Sequence, residues 1–228
     1  MSTRSIETVL VDCMGLSSSE TLLVVTDPKR MPIAERLVVH ARELGAETLL
    51  MEMSEREANG TEPPPAVAAA MLECDVCVAP TTKSISHTAA RKEANARGVR
   101  VATMPQITED MLERTMAADY KEVQRRSRAL ADALTRGSEV RITSPEGTDL
   151  VLGIEGREGI SDDGDLTAPA SFGNLPAGEG FIAPIEGSVE GTLVVDGTIA
   201  GVGIPAEPVR MEVVDGRLAS ATGPEGAQ

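Results

Sequence analysis

Thr21-Leu22-Leu23-Val24-Val25-Thr26, stopped by Asp27-Pro28, is the stretch on which the fold turns. A short run of aliphatic and β-branched residues bounded by turn formers suits a strand buried on both faces, as in parallel sheets. The theme then repeats along the chain. Residues 33–44 place Ile33, Leu37, Val38, Ala41 and Leu44 on one helical stripe, with Pro32 suited to the first turn and Gly45 to the C-terminal cap. Residues 48–53 predict a second strand, residues 66–73 a second helix after Pro63-Pro64-Pro65, and residues 76–79 a third strand ending at Pro80. Residues 87–97 predict a third helix closed by Gly98, and residues 99–104 a fourth strand ending at Pro105. Thr108 is placed to cap a short helix over 109–116. Strict alternation with short connections requires right-handed crossovers and a parallel sheet covered on both faces. Residues 1–118 are therefore expected to form an α/β flavodoxin-like or Rossmann-like three-layer sandwich. No GxGxxG follows the first strand, where the chain reads Thr26-Asp27-Pro28-Lys29-Arg30, so a dinucleotide site of the usual kind is not expected.

Residues 119–137 predict a longer connecting helix with Val123, Leu130 and Leu134 on its apolar side. Beyond it the period changes, and residues 138–228 predict a β-rich antiparallel second domain. Residues 139–143 and 148–154 flank Ser144-Pro145-Glu146-Gly147 as a hairpin. Asp196-Gly197 separates residues 189–195 from 198–202, and Asp215-Gly216 separates 209–214 from 217–221. Asp-Gly between alternating β-formers is a strong hairpin signal.

The chain has 228 residues with 41% hydrophobic and 25% charged content, ordinary for a globular protein. A formal net charge of -15 and the absence of visible Lys/Arg clusters exclude nucleic acid as an expected partner. No apolar run reaches the roughly 20 residues that span a bilayer, and the first ten residues do not read as a secretory signal, so no membrane and a cytoplasmic location are expected. Cys13, Cys74 and Cys77 fit a reducing compartment. Cys74-Asp75-Val76-Cys77 has CxxC spacing on an expected strand, so its sulfurs are expected on opposite faces, as structural thiols.

Chemistry is concentrated in two segments. In Asn174-Leu175-Pro176-Ala177-Gly178-Glu179-Gly180-Phe181-Ile182-Ala183-Pro184 a single carboxylate stands in a stiff loop. The only two phenylalanines, Phe172 and Phe181, lie nearby, which suggests a partly apolar pocket around Glu179. A Pro-bounded turn with a solvated Glu179 fits the same residues. In Thr81-Thr82-Lys83-Ser84-Ile85-Ser86-His87-Thr88 hydroxyls, an ammonium and an imidazole follow the third strand, where open parallel sheets place their ligand crevices. The alternative is that Ser86 or Thr88 caps the helix and His87 is simply exposed. His40, mid-helix, reads as a packing or surface residue. There is no GxSxG or HExxH, and with two histidines the chain does not assemble a catalytic zinc site by itself.

The run from Val78-Ala79-Pro80 through Arg91-Lys92-Glu93-Ala94, then Arg100-Val101-Ala102-Thr103-Met104-Pro105, then the block 174–184 with Glu186-Gly187, resembles the aminopeptidase T family, M29-type leucyl aminopeptidases. The likeness runs from about residue 6 to about residue 220. It implies a homodimeric metalloprotease that removes N-terminal residues from peptides at a two-metal site of zinc or cobalt. The family's Asn-(apolar)-Pro-x-x-Glu-x-Phe ligand maps onto Glu179. Its other ligands, a second Glu, a His in a His-Ile-Ala-Leu-Gly-like segment and a His-x-Asp pair, have no counterpart in this sequence. The expectation is thus a fragment or short form of a metallo-aminopeptidase in which Glu179 is the one metal ligand. His87 and Lys83 would be catalytic, Thr82, Ser84, Ser86, Asn174 and Phe181 would bind a peptide or small molecule, and the chain alone could hold no metal. Two alternatives accompany it. One is a non-catalytic binding or dimerisation module of the same fold. The other is a sister group, similar in fold, that opens dihydroxypyridine rings with a single iron; its Ser-(apolar)-x-His segment resembles Ser84 to His87 and makes His87 an acid/base candidate.

Overall fold

The computed structural model describes residues 3–223. Strands β1 (Thr21–Thr26), β2 (Glu47–Glu52), β3 (Val76–Ala79) and β4 (Arg100–Thr103) alternate with α2 (Met31–Glu43), α3 (Pro65–Met71) and α4 (Ala89–Ala96). Before them, α1 (Arg4–Glu7) runs into a π-helical turn over Thr8–Cys13; after them come α5 (Glu109–Thr115) and α6 (Tyr120–Arg136). The strand side chains divide as the pleat requires. Leu22, Val24, Val76, Val78 and Ala102 join a core with Ile33, Leu37 and Val38 of α2. Leu23, Val25, Cys77, Ala79 and Val101 join a second core with Val67 of α3 and Ala90 and Ala94 of α4. Two cores on two faces make the expected three-layer sandwich. Cys74 precedes β3 rather than lying in it, so alternation does not separate the two sulfurs: Cys74 and Cys77 fall in the same core, and all three cysteines are buried free thiols.

The chain continues through β5 (Glu139–Thr143), β6 (Asp149–Gly153), β7 (Ile160–Asp162), β8 (Phe172–Asn174), β9 (Glu179–Phe181), β10 (Glu190–Val195), β11 (Val209–Val214) and β12 (Arg217–Thr222). Strand β8 pairs parallel with β4, giving a sheet of order β2-β1-β3-β4-β8. This is the doubly wound order in which the switch point lies between β1 and β3. The antiparallel sheet has the order β12-β11-β10-β6-β5, and β7 and β9 form a two-stranded ribbon. The fold is thus a parallel α/β sandwich with a separate antiparallel sheet.

The chain divides into one unit of Met1–Ser127 with Asp162–Glu179 and another of Arg128–Ser161 with Gly180–Gln228. This division differs from the expected boundaries at 118 and 138. Residues 162–179, assigned from sequence to the β-rich half, fall in the α/β unit, whose sheet β8 completes. Helix α6 runs from one unit into the other, and its buried residues are Tyr120, Ser127 and Ala131, whereas Leu130 is 49% exposed. The expected strand at 198–202 does not form: Ile199 makes only an isolated bridge to Gly203, and β10 pairs instead with β11 and β6. Among the described residues no helix is long and apolar enough to cross a membrane.

Candidate functional site

At the C-terminal end of β1 the carboxylate of Asp27, 1% exposed, fastens the loop that leaves β3. It accepts the Thr82 backbone N–H, the Thr82 hydroxyl at 2.9 Å and the Lys29 N–H at 3.1 Å. The Thr26 hydroxyl donates to the Pro80 carbonyl at 2.9 Å, and Ile85, fully buried, plugs the loop into the core beneath. From the β2–α3 side, Asn59 Oδ1 accepts the Ser84 N–H at 2.9 Å, and the Glu62 carboxylate accepts the first N–H groups of α4, those of Ala89 at 2.5 Å and Ala90 at 3.2 Å. Thr88 caps the same helix by accepting the Arg91 N–H at 3.3 Å. A carboxylate and a hydroxyl at a helix start satisfy otherwise orphaned donors. Residues 80–88 are therefore held from three sides.

The loop brings Ser84 and Ser86 to the ends of β4 and β8, and the exposed His87 follows them in the chain. Because Thr103 and Asn174 are register partners, their side chains meet at the strand ends. The Thr103 hydroxyl donates to Asn174 Oδ1 at 2.6 Å, and Ser86 Oγ lies 2.7 Å from Thr103 Oγ1 and 3.0 Å from Asn174 Oδ1. Ser84 Oγ donates to Ser86 Oγ at 2.8 Å. Ser86 and Thr103 are buried, while Asn174 is exposed. With its oxygen occupied by these hydroxyls, the Asn174 amide keeps its two N–H donors for the solvent side. His87 is exposed and forms no hydrogen bond or ion pair among the described residues, and Lys83 is half-buried without an ion pair among them.

The structure thus brings Ser84, Ser86 and Asn174 together and sets His87 and Lys83 on the same loop. Thr82, expected to bind substrate, instead spends its hydroxyl on Asp27. Phe181 is 43% exposed and belongs to the other unit, and Phe172 packs against the α3–α4 core. Thr103 and Asp27 escaped the sequence reading, although each ends a parallel strand or directly follows one, the position where ligand sites of such sheets gather.

The loop after β8 is equally well tethered. It contains a cis Leu175–Pro176 bond, and the Leu175 N–H donates to the Thr103 carbonyl at 2.9 Å. The hydroxyl of Tyr120, the only tyrosine, accepts the Ala177 N–H at 3.2 Å, and the Gly178 N–H donates to the Asp162 carbonyl at 2.9 Å. Gly164 allows this arrangement, since at φ +75° a Cβ there would stand 2.8 Å from Tyr120 Cε1. Glu179 itself is exposed and forms no side-chain hydrogen bond or ion pair among the described residues.

Its charge nevertheless reaches Asp162, whose pKa is raised first by burial and then by Glu179 and Asp163. A carboxyl whose folded pKa lies above the unfolded value binds more protons when folded, so its contribution is fully present below about pH 4 and is lost as pH rises through the folded pKa. Asp162→Asn should accordingly make the protein more stable than wild type at neutral pH, with the difference closing below about pH 4. Urea titrations at the two pH values check this, and a variant less stable at pH 7 would show that Asp162 has a favourable partner.

A metal centre needs more than this pair. Among the described residues no group of three or more His, Cys, Asp or Glu could hold a metal ion. Glu179 is the expected ligand without the rest of a ligand set, and the residues present do not fit an iron or a two-metal site.

Comparison with known proteins narrows the chemistry. In fold, the chain resembles 2,5-dihydroxypyridine dioxygenase from Pseudomonas putida KT2440, with TM-score 0.78 at 19% identity, over 97% of this chain and 67% of that one. It also resembles AmpT from Thermus thermophilus, with TM-score 0.67 at 17% identity, over 98% of this chain and 72% of that one. At such identities the likenesses speak for fold alone. No curated protein matches the sequence. A family model described as NicX, 2,5-dihydroxypyridine 5,6-dioxygenase, matches residues 3–228. That match overturns the aminopeptidase expectation. Spanning almost the whole sequence, it establishes that the chain belongs to the NicX family of 2,5-dihydroxypyridine 5,6-dioxygenases.

Proposed function

We propose that the chain serves the oxygen-dependent opening of a small, planar, hydroxylated nitrogen heteroaromatic of the dihydroxypyridine class. The observation that carries this reading is the family match over residues 3–228, supported by a cluster of polar side chains at the C-terminal end of a doubly wound parallel sheet. The amide N–H donors of Asn174 would meet a ring oxygen. Ser84 and Ser86 form a hydroxyl chain that can rotate to suit either a donor or an acceptor on the ring. His87 would exchange a proton with a ring hydroxyl, a task to which imidazole is suited near neutral pH. The ammonium of Lys83 would balance negative charge on the deprotonated ring. A single ferrous ion would supply oxygen activation in such chemistry. The described residues offer Glu179 but no ligand set for it.

Binding tests the cluster without turnover. Under anaerobic conditions, titration with 2,5-dihydroxypyridine should show Asn174→Ala binding about tenfold more weakly than wild type, roughly 1.4 kcal/mol. Equal affinities would remove Asn174 and its hydroxyl partners from the site.

A further inference from the structure

We propose that Arg91 is a positioning residue for His87, acting through the peptide bond that joins Ser86 to His87. Arg91 Nε donates to the Ser86 carbonyl at 2.7 Å. Its guanidinium carbon stands 3.9 Å from the centroid of the Phe172 ring on β8, and Nη1 donates to Asn95 Oδ1 at 3.2 Å. Asn95, 9% exposed, in turn donates through Nδ2 to the carbonyls of Val99 and Ser171, both at 2.9 Å, and of Ala170 at 3.2 Å. A continuous polar spine therefore runs from the start of β8, through α4, to the carbonyl immediately before His87.

Three features separate this arrangement from an ordinary surface arginine. In a chain of net charge -15, Arg91 makes no ion pair among the described residues; its charge rests on a carbonyl, an amide oxygen and an aromatic face. Second, the planar fork meets all three at once, which a lysine ammonium does not reproduce. Third, the His87 side chain has no partner of its own among the described residues, so its direction is set through its backbone. The same strand that seats Arg91 on Phe172 carries Asn174 two residues later, on the same face of the sheet. Arg91 thereby ties the position of His87 to that of the Asn174 amide. A displacement of about 1 Å between such groups costs on the order of a hundredfold in rate.

The inference rests on the dioxygenase reading only for its kinetic consequence. Its structural consequence is read independently by NMR of the imidazole rings in Arg91→Met and Arg91→Lys. The chain has two histidines, and His40, on α2, serves as the internal control. The His87 ring signals should shift in both variants, less in the lysine variant, while those of His40 stay in place. If the ring-opening activity holds, kcat should fall about ten- to a hundredfold with KM within about threefold. His87 signals unmoved in either variant would overturn the proposal, whatever the activity. Loss of both histidine environments together in both variants would also overturn it, by making Arg91 a brace of the core. Displacement of His87 in an enzyme that opens no ring would leave the positioning role standing and sink the dioxygenase reading instead.

Discussion

Asp27→Ala is expected to remove about 2–4 kcal/mol of stability and to abolish the order of the loop over residues 80–88. The carboxylate is buried at 1% exposure and is the acceptor for the Thr82 N–H, the Thr82 hydroxyl and the Lys29 N–H. Each donor left buried and unmet costs about 1–3 kcal/mol, and Lys29, being at the surface, can turn to water. Asp27→Asn should cost less, about 1–2 kcal/mol, because the amide keeps one acceptor but turns an N–H toward a donor. Urea unfolding of the three proteins measures the order wild type, Asn, Ala. An alanine variant within about 0.5 kcal/mol of wild type would mean that the loop is held by Asn59, Glu62 and Ile85 without Asp27.

His87→Ala should behave in the opposite way. With an exposed side chain and no bonded partner among the described residues, its removal should leave the melting temperature within about 2 °C, since exposed substitutions of this kind stay within about 0.5 kcal/mol. Turnover of 2,5-dihydroxypyridine should nevertheless fall about a hundred- to ten-thousandfold, the usual contribution of a positioned proton acceptor. Full activity in the alanine variant would assign the proton transfer to another group. A large drop in melting temperature would instead make His87 part of the α4 start.

The elements from β1 to α5 were legible because their signals are local: an apolar run, a helical stripe, a proline or glycine at the boundary. Strand β8 carried no such signal. It is three residues long with Gly173 at its centre, where Leu166 Cδ2 would lie 3.0 Å from any Cβ, and it pairs with a strand some seventy positions earlier in the chain. The cluster it completes was legible in part. Ser86 and Asn174 stood out as residues, but the value of Thr103 comes only from its register opposite Asn174.

Two identical dipeptides show how far turn composition reaches. At Asp215-Gly216 both residues adopt positive φ, 51° and 69°, as a tight hairpin requires, and β11 pairs with β12. Neither Asp196 nor Gly197 does so, and there the expected hairpin is absent. The composition of a turn permits a conformation that the surrounding chain must still adopt.

The peptidase expectation fails for a related cause. The block from Asn174 to Phe181 matches a peptidase metal-site motif in residue types alone. In the structure its Asn oxygen receives the Thr103 and Ser86 hydroxyls, Leu175–Pro176 is cis, and Ala177 and Gly178 are tied to Tyr120 and Asp162. Such a motif describes a loop, and one loop serves more than one chemistry on the same fold.

Anaerobic binding tests the central claim most directly. Without oxygen, the chain should bind 2,5-dihydroxypyridine in titrations, while leucyl p-nitroanilide neither competes for the site nor releases p-nitroaniline. Release of p-nitroaniline, with the dihydroxypyridine left unbound, would contradict the account.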